Sequence, residues 1–358
     1  MRELGDDRRQ RILAAVEARG EARVSELAAE LEVSVITVRR DVEGLAREGK
    51  LRRGHGVARS VVPVARPAAP PAGKDGAIAL VVPERHAYLN EVVHGARTAL
   101  EEAGARVVLH IAPRVPGAEG AIIERLPPGD VRGLLLAPRW RTVEAEEADY
   151  GWLARADVPT VLMERRPRPG SVLHAADAVY TDHWYGMHLA VDHLLALGHR
   201  RIVLAARDDS PTARALRAAF AGIVAARPEI EDSAVVLSAP DAGAVLGDGD
   251  GEPVALAKLV RKRRATAAVL HGDVDALMLV QHLADAGIRV PGDCSVVAYD
   301  DVVAALGSTP LTAVAPPKAE VGRVAAELLL ERLAGGDGRP RQVAVMPELK
   351  VRGSARPL

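Results

Sequence analysis

The sequence predicts an α/β protein in two parts, a small, mainly helical head and a two-lobed body built on parallel sheets. Three observations lead there. Residues 60–76, SVVPVARPAAPPAGKDG, hold four prolines and no hydrophobic period, which marks a linker, semi-rigid where the prolines cluster. Residues 1–59 ahead of it carry apolar positions at helical spacing. Residues 77–358 behind it alternate short apolar runs with helical stretches, and do so in two successive series.

Composition limits what such a chain can do. At 358 residues it exceeds one ordinary core, and 48% hydrophobic with 27% charged residues excludes global disorder. Aromatics are only 3% with a single Phe, so Val, Leu, Ala and Ile must fill the interior. The net charge of −1 excludes a polyelectrolyte surface, and any nucleic-acid site must be local. Residues 39–59 meet that condition, with seven basic residues against three acidic ones. The single cysteine, Cys294, cannot form an internal disulfide and fits a reducing compartment. The opening MRELGDDRRQRIL lacks the apolar stretch of a signal peptide. The longest apolar runs, such as IALVVP and GLLLAP, fall well short of the roughly 18 residues that cross a bilayer. A cytoplasmic protein without membrane contact is expected.

In the head, Ile12, Leu13 and Val16 give the period of a helix over residues 6–19, which Gly20 stops. Ser25 is the expected N-cap of a second helix that turns Leu27, Ala28 and Leu31 inward. Val33 and Ser34 form a turn, and Ser34 caps a third helix whose Val38, Val42 and Leu45 make one buried stripe. Lys50 to Val57 then read as a short basic β-ribbon. Short helices, a tight turn, a third helix and a basic ribbon describe a winged helix-turn-helix. Burying the stripe leaves Val35, Ile36, Thr37, Arg39 and Arg40 outward at the start of the third helix. That end of the helix meets base edges in the major groove. Arg bonds both acceptors of guanine, whereas Thr and aliphatic side chains touch thymine methyls. Lys50, Arg52, Arg53 and His55 are placed for phosphates, which position the module without reading sequence.

In the body, strands are expected at Ile78–Val82, Val107–His110, Gly133–Leu136 and Thr160–Met163, then at Ile202–Ala205, Ala267–Leu270 and Ser295–Ala298. A helix spans Tyr88–Ala103, ended by Gly104. Parallel sheets covered on both faces bind ligands beyond the carboxyl ends of their strands, so the crevice between two such lobes is the expected site.

The head segment VSELAAELEVSVITVRRDVEGLAREGKLRRGHGVA resembles the DeoR-type DNA-binding domain, with helix and wing signatures in order over roughly residues 8–58. The body resembles the effector domain of LacI/GalR regulators, itself similar to periplasmic sugar-binding proteins. VPTVLMERRP, VYTDHWYGMHLAVDHLLALGHRRI, TAAVLHGDVDALMLVQHLADAGIRVPGDCSVVAYDD, STPLTAV and PPKAEVGRVAAELLLERL carry that likeness. It implies a two-lobed, periplasmic-binding-protein-like body in which the chain crosses between lobes three times, near Thr181–Asp182, Ala304–Thr309 and Arg339–Gln342. One lobe then takes about 77–181 and 305–340, the other about 182–304 and 341–358.

The resemblance also implies a pocket. Asp300, first of the YDD pair, takes hydrogen bonds from ligand hydroxyls, and its two oxygens suit a vicinal diol of a sugar or nucleoside. Asp273 follows Gly272 where the family has Asn-Asp, and Glu164 with Arg165 stands for the usual Asp-Arg pair. Tyr88 matches the aromatic after the first strand. Trp184, beside the first crossing, is placed to stack on a sugar's apolar face. Arg214, ahead of Arg217, stands for the pocket arginine. A homodimer formed through the body, binding a pseudo-palindromic operator in double-stranded DNA, is implied as well. LacI regulators follow the head with a hinge helix that a Pro/Ala-rich linker does not readily form.

Other chemistry finds no support. His188 and His193 fall on different faces of one helix, and no HExxH or CxxC accompanies them, so no metal site is expected. GDGDG at 247–251 lacks the ligand positions of a calcium loop, and His199 reads as closing a helix end. With no nucleophile elbow, phosphate loop or dinucleotide fingerprint, neither cofactor nor catalysis is expected. The expectation is a ligand-responsive transcriptional regulator, most simply a repressor. A sensor whose head docks protein, or an enzyme on a doubly wound sheet, are the alternatives.

Overall fold

A computed structural model describes residues 8–13, 16, 21–31, 33–47, 50–54, 57–60, 76–84, 87–127, 129–238, 256–335 and 338–358. The chain divides into two units, Met1–Asp75 and Gly76–Leu358. The proline cluster and GDGDG fall outside the described residues.

In the first unit, residues 8–13 and 16 are helical. There follow β1 (Glu21–Arg23), α1 (Val24–Glu30), α2 (Val35–Arg47), β2 (Leu51–Gly54) and β3 (Val57–Ser60). Ile12, Val16, Leu27, Val38, Val42 and Leu45 form its core, so the stripe read from the sequence is the buried one. Ser34 opens α2 by accepting the backbone N–H of Thr37 on its Oγ at 3.1 Å, which satisfies a donor that the first turn leaves free. Asp41, on α2 and 5% exposed, accepts Arg8 Nε at 2.7 Å and Arg9 Nε at 3.4 Å, tying the first helix to the third. Two details differ from expectation. The stretch after Gly20 is a strand, β1, pairing antiparallel with β3 to make a three-stranded sheet. The second helix then starts at Val24, ahead of Ser25, because the strand runs straight into it. A three-residue strand has too few side chains to show a period, and only pairing with the wing reveals it.

The second unit carries two six-stranded sheets. The first, in spatial order, joins β14 (Gln342–Val345), β8 (Asp177–Thr181), β7 (Thr160–Met163), β6 (Val131–Leu136), β4 (Ala77–Pro83) and β5 (Val107–Ala112), all parallel. The second joins β10 (Asp232–Val236), β9 (Arg201–Ala205), β11 (Ala267–Leu270), β12 (Ser295–Tyr299), β13 (Thr312–Ala315) and β15 (Glu348–Lys350), with β15 alone antiparallel. Residues of β4, β11, β12 and β13 are buried throughout, as both-face coverage by helices demands. Among the described residues, no helix is long and apolar enough to cross a membrane.

The lobe boundaries need correction at two of three crossings. The first falls at Asp182, between β8 and α6 (His183–Ala196), as expected. The second lies at Pro316–Pro317 and not near 304–309, because Thr312–Ala315 stays in the second sheet, where Val297–Tyr299 pair with Thr312–Val314. Proline has no N–H to give a ladder, so the strand ends there and the chain leaves. The third lies at Met346–Pro347 and not near 339–342, because Gln342–Val345 pair with Ala178–Thr181 in the first sheet.

In the first lobe, α3 (Ala87–Glu102) packs on α10 (Lys318–Leu333) closely enough to need glycine on both. A Cβ on Gly95 would lie 1.9 Å from the carbonyl oxygen of Ala319, and one on Gly322 would lie 1.9 Å from that of Val92. Neither neighbour is a side chain that can swing away. Gly322→Ala is therefore expected to lose roughly 1–3 kcal/mol or more of stability in urea unfolding. A wild-type midpoint for that variant would disprove the close approach.

Candidate nucleic-acid interface and ligand cleft

At the start of α2, Val35 is 43% and Ile36 72% exposed, an unusual state for aliphatic residues in a small domain. Arg39 and Arg40 are exposed beside them, and neither makes a hydrogen bond or ion pair among the described residues. Thr37 is half-buried, its hydroxyl 2.8 Å from that of Ser34. Lys50 is exposed just ahead of β2, where its N–H bonds the carbonyl of Leu45. Arg52 and Arg53 lie on β2, and His55 falls outside the described residues. The outward face of α2 thus offers two guanidinium groups and two aliphatic side chains, with the guanidinium groups unpaired among the described residues.

In the body, a cleft of about 390 Å³ lies between the two sheets. Its walls are the segments that follow strands: Arg114 after β5, Arg139 and Arg141 after β6, Arg165 after β7, Arg207 after β9, His271 after β11 and Asp300 after β12. Tyr88 enters from the first turn of α3, and Asp273 from the first turn of α9 (Asp273–Asp285). The parallel sheets aim the carboxyl ends of several strands at this one space.

Asp300 is the most strained of these. Its φ is 99°, a value that L side chains rarely adopt, held by its N–H bonding the carbonyl of Val314 at 3.0 Å. Its Oδ1 is shielded from solvent yet has no hydrogen-bond partner among the described residues. Burial, then the charge of Asp273, push its carboxyl up to about 7, with Lys318 opposing them. His271 is 5% exposed, and its Nδ1 is likewise without a partner. Burial holds its ring down to about 3, so the imidazole is neutral. Two unpaired polar atoms in one cleft, one on a carboxylate, are costly unless something else bonds them.

The remaining expected residues divide. Tyr88, Arg165 and Asp273 line the cleft with Asp300. One oxygen of Asp273 accepts the N–H groups of Val303 and Ala304, fixing the loop after Asp300. Arg165, 4% exposed, donates to the carbonyls of Pro138 and Glu164, and burial lowers it to about 10, still cationic. Glu164 lies beneath the cleft, not in its wall, and has a φ of 53°. It accepts the Tyr88 hydroxyl at 2.8 Å and the Thr181 hydroxyl at 2.7 Å, so it aims Tyr88. Burial, followed by Glu164, raises the Tyr88 phenol well above its usual value and keeps it protonated.

Arg214 is not in the wall. From α7 (Pro211–Ala226) it donates to the carbonyls of Trp140 and Arg141 at 3.0 and 2.9 Å and meets Glu146 at 3.4 Å, clasping one lobe to the other. Arg217 instead bonds the carbonyls of Ala206 and Arg207. Trp184 does not reach the cleft either. Its ring rests on Gly222, where a Cβ would lie 2.6 Å from Cη2. His199 closes the helix end as expected, its backbone N–H bonding the carbonyl of Leu194 at 3.0 Å, while its ring bonds Thr266 and the carbonyl of Arg356 and pins the C-terminal tail. Sequence reasoning missed Arg114, Arg139, Arg141, Arg207 and His271. Their signal was position, a polar residue one to five places beyond the end of a strand.

Residues 8–64 match the DeoR-like helix-turn-helix domain, and residues 191–355 match the periplasmic binding protein-like domain. The chain joins these two domains. Its relatives include the HTH-type transcriptional repressor PurR of Vibrio atlanticus (strain LGP32), 28% identical over 284 residues that cover 78% of this chain and 80% of the relative. The ribose operon repressor of Escherichia coli (strain K12) is 28% identical over 281 residues, covering 77% and 81%. A solved LacI family transcriptional regulator from Mycobacterium smegmatis matches the fold with a TM-score of 0.60 at 28% identity, over 78% of this chain and 99% of that one. The periplasmic binding protein-like body thus has two parallel-sheet lobes, as LacI-type regulators do, whereas the head is DeoR-like.

In the unfolded chain Asp300 titrates near its ordinary value of 3.8, and in the folded body near 7. The acid form is therefore favoured by folding, and the cost of the bare carboxylate is present above about pH 7 and fades as pH falls towards 4. Asp300→Asn is expected to raise the melting temperature of the ligand-free protein at pH 8, with the gain shrinking steadily to near zero at pH 4. Calorimetry across that range checks it, and a gain independent of pH would place the carboxylate in water.

Proposed function

We propose that this protein is a ligand-responsive transcriptional repressor that acts in the cytoplasm, with residues 1–59 reading DNA and residues 77–358 sensing a small hydroxylated effector. The observation that carries the reading is the unpaired Asp300 Oδ1 and His271 Nδ1 at the strand ends of a body whose head presents an open, basic helix face. A carboxylate oxygen accepts, and a neutral imidazole nitrogen donates or accepts, so together they suit adjacent hydroxyls of a sugar or nucleoside. The names of the relatives, a repressor called PurR and a ribose operon repressor, accord with that class.

The head supplies the other half. In the major groove, Arg39 and Arg40 reach guanine edges while Val35, Ile36 and Thr37 meet methyl groups, and Lys50, Arg52, Arg53 and His55 take phosphates. One such head reads few base pairs, so useful specificity requires a homodimer on a two-fold operator. Leu109, Ile111 and Val115, exposed on and just beyond the edge strand β5, offer an apolar face for that pairing.

Coupling follows from the crossings. Three short connections at 182, 316–317 and 346–347 join the lobes, and they are where the backbone bends when the cleft closes. Arg141 from one lobe meets Asp209 from the other at 2.9 Å, a contact that opening the cleft would strain. An effector that bridges the walls favours the shut arrangement, by no more than its differential affinity for the two. Binding without turnover is the expected outcome of a cleft built this way, in keeping with relatives that are repressors.

Arg39→Ala and Arg40→Ala are each expected to cost about 1–3 kcal/mol in affinity for the operator beside the protein's own gene. Affinity of the wild type for that duplex falls steeply with salt as counterions are released. Fluorescence anisotropy at several salt concentrations measures both. Wild-type affinity in both variants would remove α2 from the groove.

A further inference from the structure

The charges on the two walls of the cleft are divided unequally by sign, the one arginine that the second lobe contributes, Arg207, being already bonded to Asp209 and Asp275. Every charged residue that the first lobe contributes is an arginine: Arg114, Arg139, Arg141 and Arg165. Every acidic one, Asp209, Asp273, Asp275 and Asp300, comes from the second lobe. If the walls existed only to pair with each other on closing, each arginine would have found a carboxylate. Arg141 does so, on Asp209. Arg165 is spent on backbone carbonyls. Arg139, half-buried, makes no hydrogen bond or ion pair through its guanidinium among the described residues, and Arg114 has only Glu84, at 4.0 Å.

Like charges gathered close together oppose folding, and burial with the nearby Arg141 and Arg114 lowers Arg139 from its usual value, with Asp209 and Glu119 opposing them. The same space receives the N-terminal end of α7, a helix of 16 residues whose Ser210, Pro211 and Thr212 line it. Its positive end adds to the field there. Aromatic faces are nearly absent, with Tyr88 and His271 the only rings in the wall, so stacking on a base or a bare sugar has little to rest on.

We propose that the effector is a sugar phosphate, with its phosphate monoester held by Arg139 and Arg114 on the first lobe and its hydroxyls by Asp300 and His271 on the second. A dianion matches two guanidinium groups, that of Arg139 without a partner among the described residues and that of Arg114 held only by Glu84 at 4.0 Å, and each presents a fork of donors to phosphate oxygens. This rests on the cleft being the effector site, and it adds the ligand's charge. Such an effector arises by phosphoryl transfer to a sugar, so the protein would report the product of that reaction and ignore the free sugar.

The test uses the full-length protein and thermal shifts against pentose and hexose monophosphates, their neutral parent sugars and inorganic phosphate, at matched ionic strength. The expected result is a sugar phosphate that raises the melting temperature at concentrations where its parent sugar does nothing. Arg139→Gln then weakens it at least tenfold, while the ligand-free variant melts no lower than wild type because repulsion is relieved. Asp300→Asn weakens the same ligand, whereas any shift from inorganic phosphate alone survives that change and is lost in Arg139→Gln. A neutral sugar that binds as tightly as its phosphate, is untouched by Arg139→Gln and is lost in Asp300→Asn would overturn the phosphate and keep the cleft. A sugar phosphate whose shift ignores both substitutions would overturn the cleft as well. A panel in which no phosphate ester shifts the protein overturns the proposal.

Discussion

Asp300 holds a carboxylate at the end of β12 with one oxygen out of solvent and without a partner among the described residues, on a backbone that L residues rarely adopt. A fold relieved of function would not keep it, since an unmade hydrogen bond and a left-handed φ each cost on the order of 1–3 kcal/mol. The surroundings exist to hold it there. Asp273 fixes the following loop through two backbone N–H groups, Lys318 moderates the negative charge, and the ladder to Val314 sets the strand's end. Across the cleft, Glu164 carries a second positive φ and aims Tyr88. Strain in one wall and just beneath the other is the pattern of a preorganised binding site.

The same arrangement makes the lobes interdependent. The chain crosses between them three times within short segments, so neither lobe is a contiguous piece of sequence. Arg214 clasps the carbonyls of the Trp140–Arg141 loop from the opposite lobe, and that loop also carries Arg139 and Arg141 into the cleft. Movement of one lobe against the other is therefore felt at the arginine wall and at the acidic wall together. A ligand that touches both walls can favour one arrangement of the lobes only by its differential affinity for it.

Periodicity revealed much of this architecture. The stripe Val38, Val42, Leu45 and the cap at Ser34 follow from helical spacing and from a donor needing an acceptor, both local matters. Long apolar runs such as Ala77–Pro83 announced central parallel strands in the same way. The short strands Asp177–Thr181, Thr312–Ala315 and Gln342–Val345 were harder, since each has few residues and takes its identity from the ladder beside it. Mistaking the last two displaced two of the three lobe crossings. In the site, Tyr88, Arg165, Asp273 and Asp300 came from motif positions and do share the cleft, whereas Arg214 and Trp184 do not. A long side chain on a helix reaches in several directions, and packing alone selects one.

By itself the sequence determined the head's helical core, the division at the prolines and the alternation that produces two parallel sheets, because those depend on spacing and composition within a few residues. The tertiary structure alone decided which side chains face one another across the cleft. Arg139 and Asp300 are 161 positions apart, and nothing local relates them. Only closure of two sheets over a common edge gathers four arginines on one wall opposite four aspartates and Arg207 on the other, and leaves Arg139 and a carboxylate oxygen of Asp300 without partners among the described residues.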